Sequence, residues 1–113
     1  MSLIEQLAQR QLDAYNQSDL DGFVACYHSD VQVFNGDEQS INGIDEFRSR
    51  YRALFTEWQF GAAVPKRISL NAHCVDLEEW WRIDPDTEER SEGQVLVRYV
   101  ERDGLIGTVQ FLD

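Results

Sequence analysis

A chain of 113 residues with 21 acidic and 10 basic side chains, formal charge −11, is the size of one domain and repels phosphate backbones and anionic lipid. No basic cluster exceeds Lys66-Arg67, which excludes nucleic-acid binding, while 42% hydrophobic residues with thirteen aromatics can fill a core and still line a cavity. Two cysteines, Cys26 and Cys74, make no disulfide framework, no stretch approaches the ~20 apolar residues of a membrane span, and Met1-Ser2-Leu3-Ile4-Glu5 lacks the basic and apolar regions of a leader, so a reduced, cytoplasmic protein is expected.

Ser2 followed by Glu5 forms a capping-box pattern, and Ile4, Leu7, Ala8, Gln11, Leu12 and Tyr15 then fall on one face of a first helix. Asn16-Gln17-Ser18 interrupts it, and Ser18 or Asp19 caps a short second helix with Leu20, Phe23, Val24 and Tyr27 inward. Val31 to Phe34 alternates as a short strand ending at the Asn35-Gly36 turn, and Asp37 to Ser40 reads as a polar loop. Asn42-Gly43 opens a third helix carrying Ile44, Phe47, Tyr51, Leu54, Phe55 and Trp58 at helical intervals. From there the period is two: strands are expected at Ala63–Leu70, Cys74–Ile83, Gln94–Glu101 and Leu105–Leu112, with turns at Asp84-Pro85-Asp86-Thr87 and Asp103-Gly104. With no repeat, low-complexity tract or linker, residues 1–113 read as a single α+β domain, helices first and an antiparallel sheet after.

That order resembles the nuclear-transport-factor-2-like superfamily, which includes ketosteroid isomerases and SnoaL-like polyketide cyclases. The likeness is carried by Asp13-Ala14-Tyr15-Asn16-Gln17-Ser18-Asp19-Leu20-Asp21-Gly22-Phe23, Tyr27-His28-Ser29-Asp30-Val31, Gly43 to Phe55, and Tyr99 to Phe111. The resemblance implies a cone-shaped curved antiparallel sheet with three helices on its concave face, an apolar pocket within, and a homodimer through the outer sheet face. It does not imply one reaction, because one fold hosts many functions. The ketosteroid isomerase machinery, an Asp base with a Tyr and a protonated Asp as oxyanion hole, is a worked example in protein chemistry. Aligned on that family, Gln11 stands at the Tyr position, Asn35 at the base, and Leu96 or Val97 at the second Asp. An amide cannot take up a proton near neutrality, so that mechanism is not expected here.

Alternation along Cys74–Ile83 places Val75, Leu77, Glu79, Trp81 and Ile83 on one face and Cys74, Asp76, Glu78, Trp80 and Arg82 on the other. If the more apolar set faces the cavity with Val95, Val97 and Tyr99, then Glu79 is a carboxylate in an apolar row, where burial raises its pKa and suits it to acid–base catalysis. A solvated Glu79 at the rim is the plainer reading. The family alignment without gaps instead turns Asp76 and Glu78 inward, with Arg98 as a partner. Gln11, Tyr15 and Asn35 are then polar anchors, and Trp58, Trp81 and Tyr99 pocket walls, although Tyr15 and the aromatics also read as plain core and Asn35 as turn chemistry. Trp80 on the outer face would support dimerisation. His28 and His73 do not converge with the carboxylates, Cys74 beside His73 has the wrong strand parity for a nucleophilic pair, and the glycines belong to turns, so no metal or cofactor is expected. The functional expectation is a protein that binds a small, largely apolar molecule and transforms it by acid–base chemistry with Glu79 as proton carrier; the alternatives are a non-catalytic binder and an interaction module whose cavity is filled by its own side chains.

Overall fold

The computed structural model describes residues 1–112. Helix α1 spans Leu3–Asn16: the Ser2 hydroxyl accepts the Glu5 amide at 3.3 Å, and Ile4, Leu7, Ala8, Gln11, Leu12 and Tyr15 are buried along it. The Glu5 carboxylate turns to the hydroxyls of Ser2 and Ser69, so the cap also ties the helix to the sheet. In α2, Leu20–Val24, Asp19 is the cap, accepting the Gly22 amide at 3.0 Å. Helix α3 spans Ile44–Glu57 after Gly43, whose φ of 93° suits glycine. Phe23 of α2 sits among Tyr15, Tyr27, Phe47, Tyr51 and Phe55, with ring centroids 5.0–5.8 Å away, and joins the three helices in one aromatic cluster.

The strands are β1 (Tyr27–Asn35), β2 (Glu38–Asn42), β3 (Gln59–Leu70), β4 (His73–Ile83), β5 (Arg90–Arg102) and β6 (Leu105–Leu112), in one curved sheet ordered β2-β1-β6-β5-β4-β3. Helix α1 packs across β3 to β6 and α3 against β1 and β2, covering one face. Four pairings are antiparallel and β1–β6 is parallel. Three segments differ from the sequence expectation. Most of the expected loop at 37–40 is strand β2, an edge strand that buries only Ile41 and so shows little alternation. Strand β1 begins at Tyr27, because its first residues reach β6 through an irregular register. Strands β3 and β5 begin four residues early, at Gln59 and Arg90, where both pair with Ile83 at the C-terminal end of β4.

Two register details set the inner face. Strand β4 pairs with β5 as Cys74 with Tyr99, Asp76 with Val97, Glu78 with Val95 and Trp80 with Gly93, so even residues of β4 share a face with odd residues of β5. Tyr99 and Val97 are buried in the core, so the inner face of β4 is Cys74, Asp76, Glu78, Trp80 and Arg82. The expectation that the more apolar odd set faces inward is corrected. In β3, a bulge between Ala63 and Lys66 holds Val64 and Pro65, whose missing N–H suits an unpaired position. The bulge shifts parity by one, so that inward residues change from Phe60 and Ala62 to Arg67 and Ser69. Arg67 thereby meets Asp76.

Candidate functional site

Between the helices and the inner face lies a cavity of about 560 Å³, lined by α1, α2, α3 and every strand except β3. Its wall is largely aromatic and aliphatic, with Phe23, Phe47, Val33, Val95, Val109 and Phe111 among the lining residues. A cavity of this size suits a small organic molecule.

At the closed end, Gln11 is only 6% exposed and its amide is fully committed. Its Nε2 donates to the Ala8 carbonyl at 3.0 Å and to the Tyr99 hydroxyl at 3.2 Å, while the Tyr27 hydroxyl donates to its Oε1 at 2.8 Å. The Ala8 carbonyl fixes which end of the amide is which, since reversing it would set the amide oxygen against an oxygen that can only accept. Tyr99 accepts from Gln11, and among the described residues its own proton has no acceptor within hydrogen-bond distance. A donor is therefore free beside the cavity. Burial, first of all, pushes the Tyr27 and Tyr99 hydroxyls well above the ordinary phenol range, so both stay neutral donors.

Among the described residues, Glu78 is the one carboxylate lining the cavity. Burial raises its pKa, the Asp76 charge two residues away adds to this, and Arg82 opposes them. Asp76, 1% exposed, is held by a two-pronged pair with Arg67, Nε to Oδ1 at 2.6 Å and an Nη to Oδ2 at 2.9 Å. Arg67 also donates to Gln9 Oε1 at 2.9 Å, fastening α1 to the sheet. Asp76 is thus structural, whereas Glu78 has no hydrogen-bond partner among the described residues and faces the open space.

Arg82 lies over the Trp80 ring, its Cζ 5.5 Å from the centroid, and both line the cavity. Burial pushes the hydroxyl of neighbouring Tyr15 up, and Arg82 pulls it the other way. Asn35, Ser40 and Arg50 complete the polar part of the lining from β1, β2 and α3.

Of the sequence-expected residues, Gln11, Tyr15, Asn35 and Tyr99 are brought together around this cavity, with Asn35 exposed on its rim. Glu79, Trp81 and Trp58 are not. Glu79 is exposed on the outer face, where Gln94 Nε2 donates to it at 2.9 Å, and Trp81 lies on that same face under Arg90, whose Cζ is 4.9 Å from its centroid. Trp58 caps the end of α3 and packs on the core beside the cavity without lining it. Arg98, weighed as a partner for Glu78, is on the outer face with Gln110 and His73. Trp80, expected outside, faces in. The inward direction of Asp76 and Glu78 agrees with the family alignment without gaps, and the six-residue loop between Ile83 and Arg90, whose even length sets the parity of the pairing, carries the same signal for Arg82. Arg50 carried a weaker signal, three residues after Phe47 and four before Leu54 on the same helix.

Among the described residues, no three His, Cys, Asp or Glu side chains converge as metal ligands would, and no helix is long and apolar enough to cross a membrane.

A family model described as a SnoaL-like domain matches residues 8–107. No curated protein matches by sequence. Among solved structures, the chain is similar to an uncharacterised cystatin-fold protein from Novosphingobium aromaticivorans at 23% identity and TM-score 0.89, covering 100% of this chain and 99% of that one. It is similar to a Delta 5-3-ketosteroid isomerase from Mycobacterium sp. at 14% identity and TM-score 0.89, covering 100% and 94%. A Mycobacterium tuberculosis protein in complex with estradiol-17beta-hemisuccinate is similar at 15% identity and TM-score 0.88, covering 100% and 95%. At these identities the likeness shows the fold.

Proposed function

This chain belongs to the SnoaL-like domain family, and from that premise we propose that it binds a small, largely apolar molecule in the cavity, with Glu78 as the group that gives or takes a proton. The observation that carries the reading is that a raised, unpartnered carboxyl and the unused proton of the Tyr99 hydroxyl line one largely apolar chamber of about 560 Å³. In this reading the Tyr99 proton binds a carbonyl or hydroxyl oxygen of the guest, and Gln11, donating to Tyr99, strengthens that donor. A carboxyl raised by burial is closer to the working range of a general acid or base than an exposed one. The steroid complex of a protein of similar fold supports a chamber for rigid apolar molecules.

Trp80 in the wall provides the test. Titrating hydrophobic ketones and esters should quench or shift tryptophan emission saturably, and Trp80→Phe should remove most of the change while Trp81→Phe keeps it. No saturable response in any of the three proteins counts against the reading. Turnover of a bound compound, lost in Glu78→Gln with binding kept, distinguishes an enzyme from a carrier.

The homodimer is proposed on new residues. With Trp80 inside, the outer face presents Ile68, Leu70 and Leu96, exposed by 73%, 72% and 43%, next to Val75 and Leu77 on the neighbouring strand. An apolar strip on an uncovered sheet is the kind of surface that pairs with a second copy.

A further inference from the structure

We propose that the molecule taken up by the cavity is a small organic carboxylate, an apolar body with one anionic end, and that Arg82 receives that end. This rests on the binding reading above and deepens it by naming the ligand class.

The charge distribution is the first ground. In a chain with twice as many acidic as basic side chains, the cavity reverses the balance: Arg50 and Arg82 line it against Glu78 alone. Glu78 is also the carboxyl that burial biases toward its neutral form, so the lining is net positive within a strongly negative protein.

The second ground is the state of Arg82 itself. Arg67 is locked to Asp76, Arg48 to Asp21, Arg90 to Glu92, and Arg102 lies near Asp30, while Arg10, Arg52, Lys66 and Arg98, which make no ion pair among the described residues, lie outside the cavity lining. Arg50 makes an ion pair with Glu46 at 3.6 Å and donates to the Ser40 carbonyl at 3.1 Å. Arg82 makes no ion pair among the described residues, although it stands on the same strand face as Glu78. It is held instead on the face of Trp80, which itself is backed by Gly93 across the strand pair. A guanidinium lying over an indole is restrained in position, and of the N–H groups around its edge those not turned to the neighbouring Tyr15 hydroxyl remain free to donate. Two such donors match the two oxygens of a carboxylate. The aromatic chamber takes the body and the arginine the head.

The test compares arylalkanoic acids (phenylbutyric and naphthylacetic acid) with the methyl ester of each near pH 7, by tryptophan emission and calorimetry on the full chain. The acid should bind about tenfold or more tightly than its ester, as a charged hydrogen bond against a neutral contact. Arg82→Gln should erase that preference by weakening the acid alone, with unchanged melting behaviour. Arg90→Gln, which removes the cation stacked on Trp81 at the outer face, should keep it. An ester that binds as well as its acid overturns the inference while leaving the cavity reading intact. A preference that survives Arg82→Gln but disappears in Arg50→Gln overturns the assignment to Arg82. Failure of both acid and ester to bind overturns the cavity reading and this inference together.

Discussion

Glu78 and Glu79 are adjacent, chemically identical and differ in everything that matters for reactivity. Glu79 is exposed with an amide partner on the outer face; Glu78 points into the cavity, and burial lifts its pKa. Because the folded chain holds the Glu78 proton more tightly than the unfolded chain does, the protonated carboxyl favours folding at acidic pH, and that contribution is lost as pH rises through the folded value. Glu78→Gln, which keeps the shape and cannot ionise, should melt a few degrees above the parent at about pH 7, with the gap closing toward about pH 4. A gap that stays constant over that range, or a variant less stable throughout, would contradict the burial of this carboxyl. The matching change at Glu79 should alter neither quantity. Asp76 belongs to a different case: paired on two prongs with Arg67, it fastens β3 to β4, and removal of one partner from such a buried pair typically costs about 3–5 kcal/mol.

Strands β4 and β5 show how neighbouring elements set the direction of a side chain. Trp80 lies over Gly93 on the inner face and Trp81 over Gly61 on the outer, and a Cβ at either glycine would sit 2.9 or 2.8 Å from an indole atom. Gly93→Ala should therefore destabilise the fold by about 1–3 kcal/mol and push Trp80 into the chamber, weakening ligand binding. Gly61→Ala should cost a similar amount in melting temperature and leave ligand affinity unchanged. Equal effects of the two on binding would mean that Trp80 is not a wall. The same strands mark how far the sequence could be read. Helix positions, the Asp19 cap, the long strands and the family were legible from periodicity, turn residues and motif order. The inner face of β4 agrees with the family alignment without gaps but not with periodicity, because hydrophobicity points inward only where the inside is solid. Here the inside is partly hollow and contains an ion pair, while the outer face carries Val75, Leu77 and Trp81. The Pro65 bulge and the even loop after Ile83 set parity, and neither changes the local pattern of polar and apolar residues. Gln11, Tyr15 and Asn35 could be placed around the cavity because a helix phase, a turn and the family alignment located them without reference to β4, and Tyr99 because the odd residues of its own strand are the apolar set.

At the scale of the whole molecule, the helices close one side of the sheet and leave the other with its apolar strip of Ile68, Leu70 and Leu96. Sedimentation at micromolar concentration should give twice the monomer mass of 13.1 kDa, and Leu96→Lys with Ile68→Lys should return it to monomer with the cavity still able to bind. A monomeric parent protein would remove the dimer proposal without affecting the chamber on the other face. The sheet order has a further consequence. Hairpin β1–β2 and the meander β3–β4–β5 share no edge; β6 alone lies between them, parallel to one and antiparallel to the other. During synthesis, then, the two half-sheets have no common edge to join along until residues 105–112 emerge and β6 pairs with both.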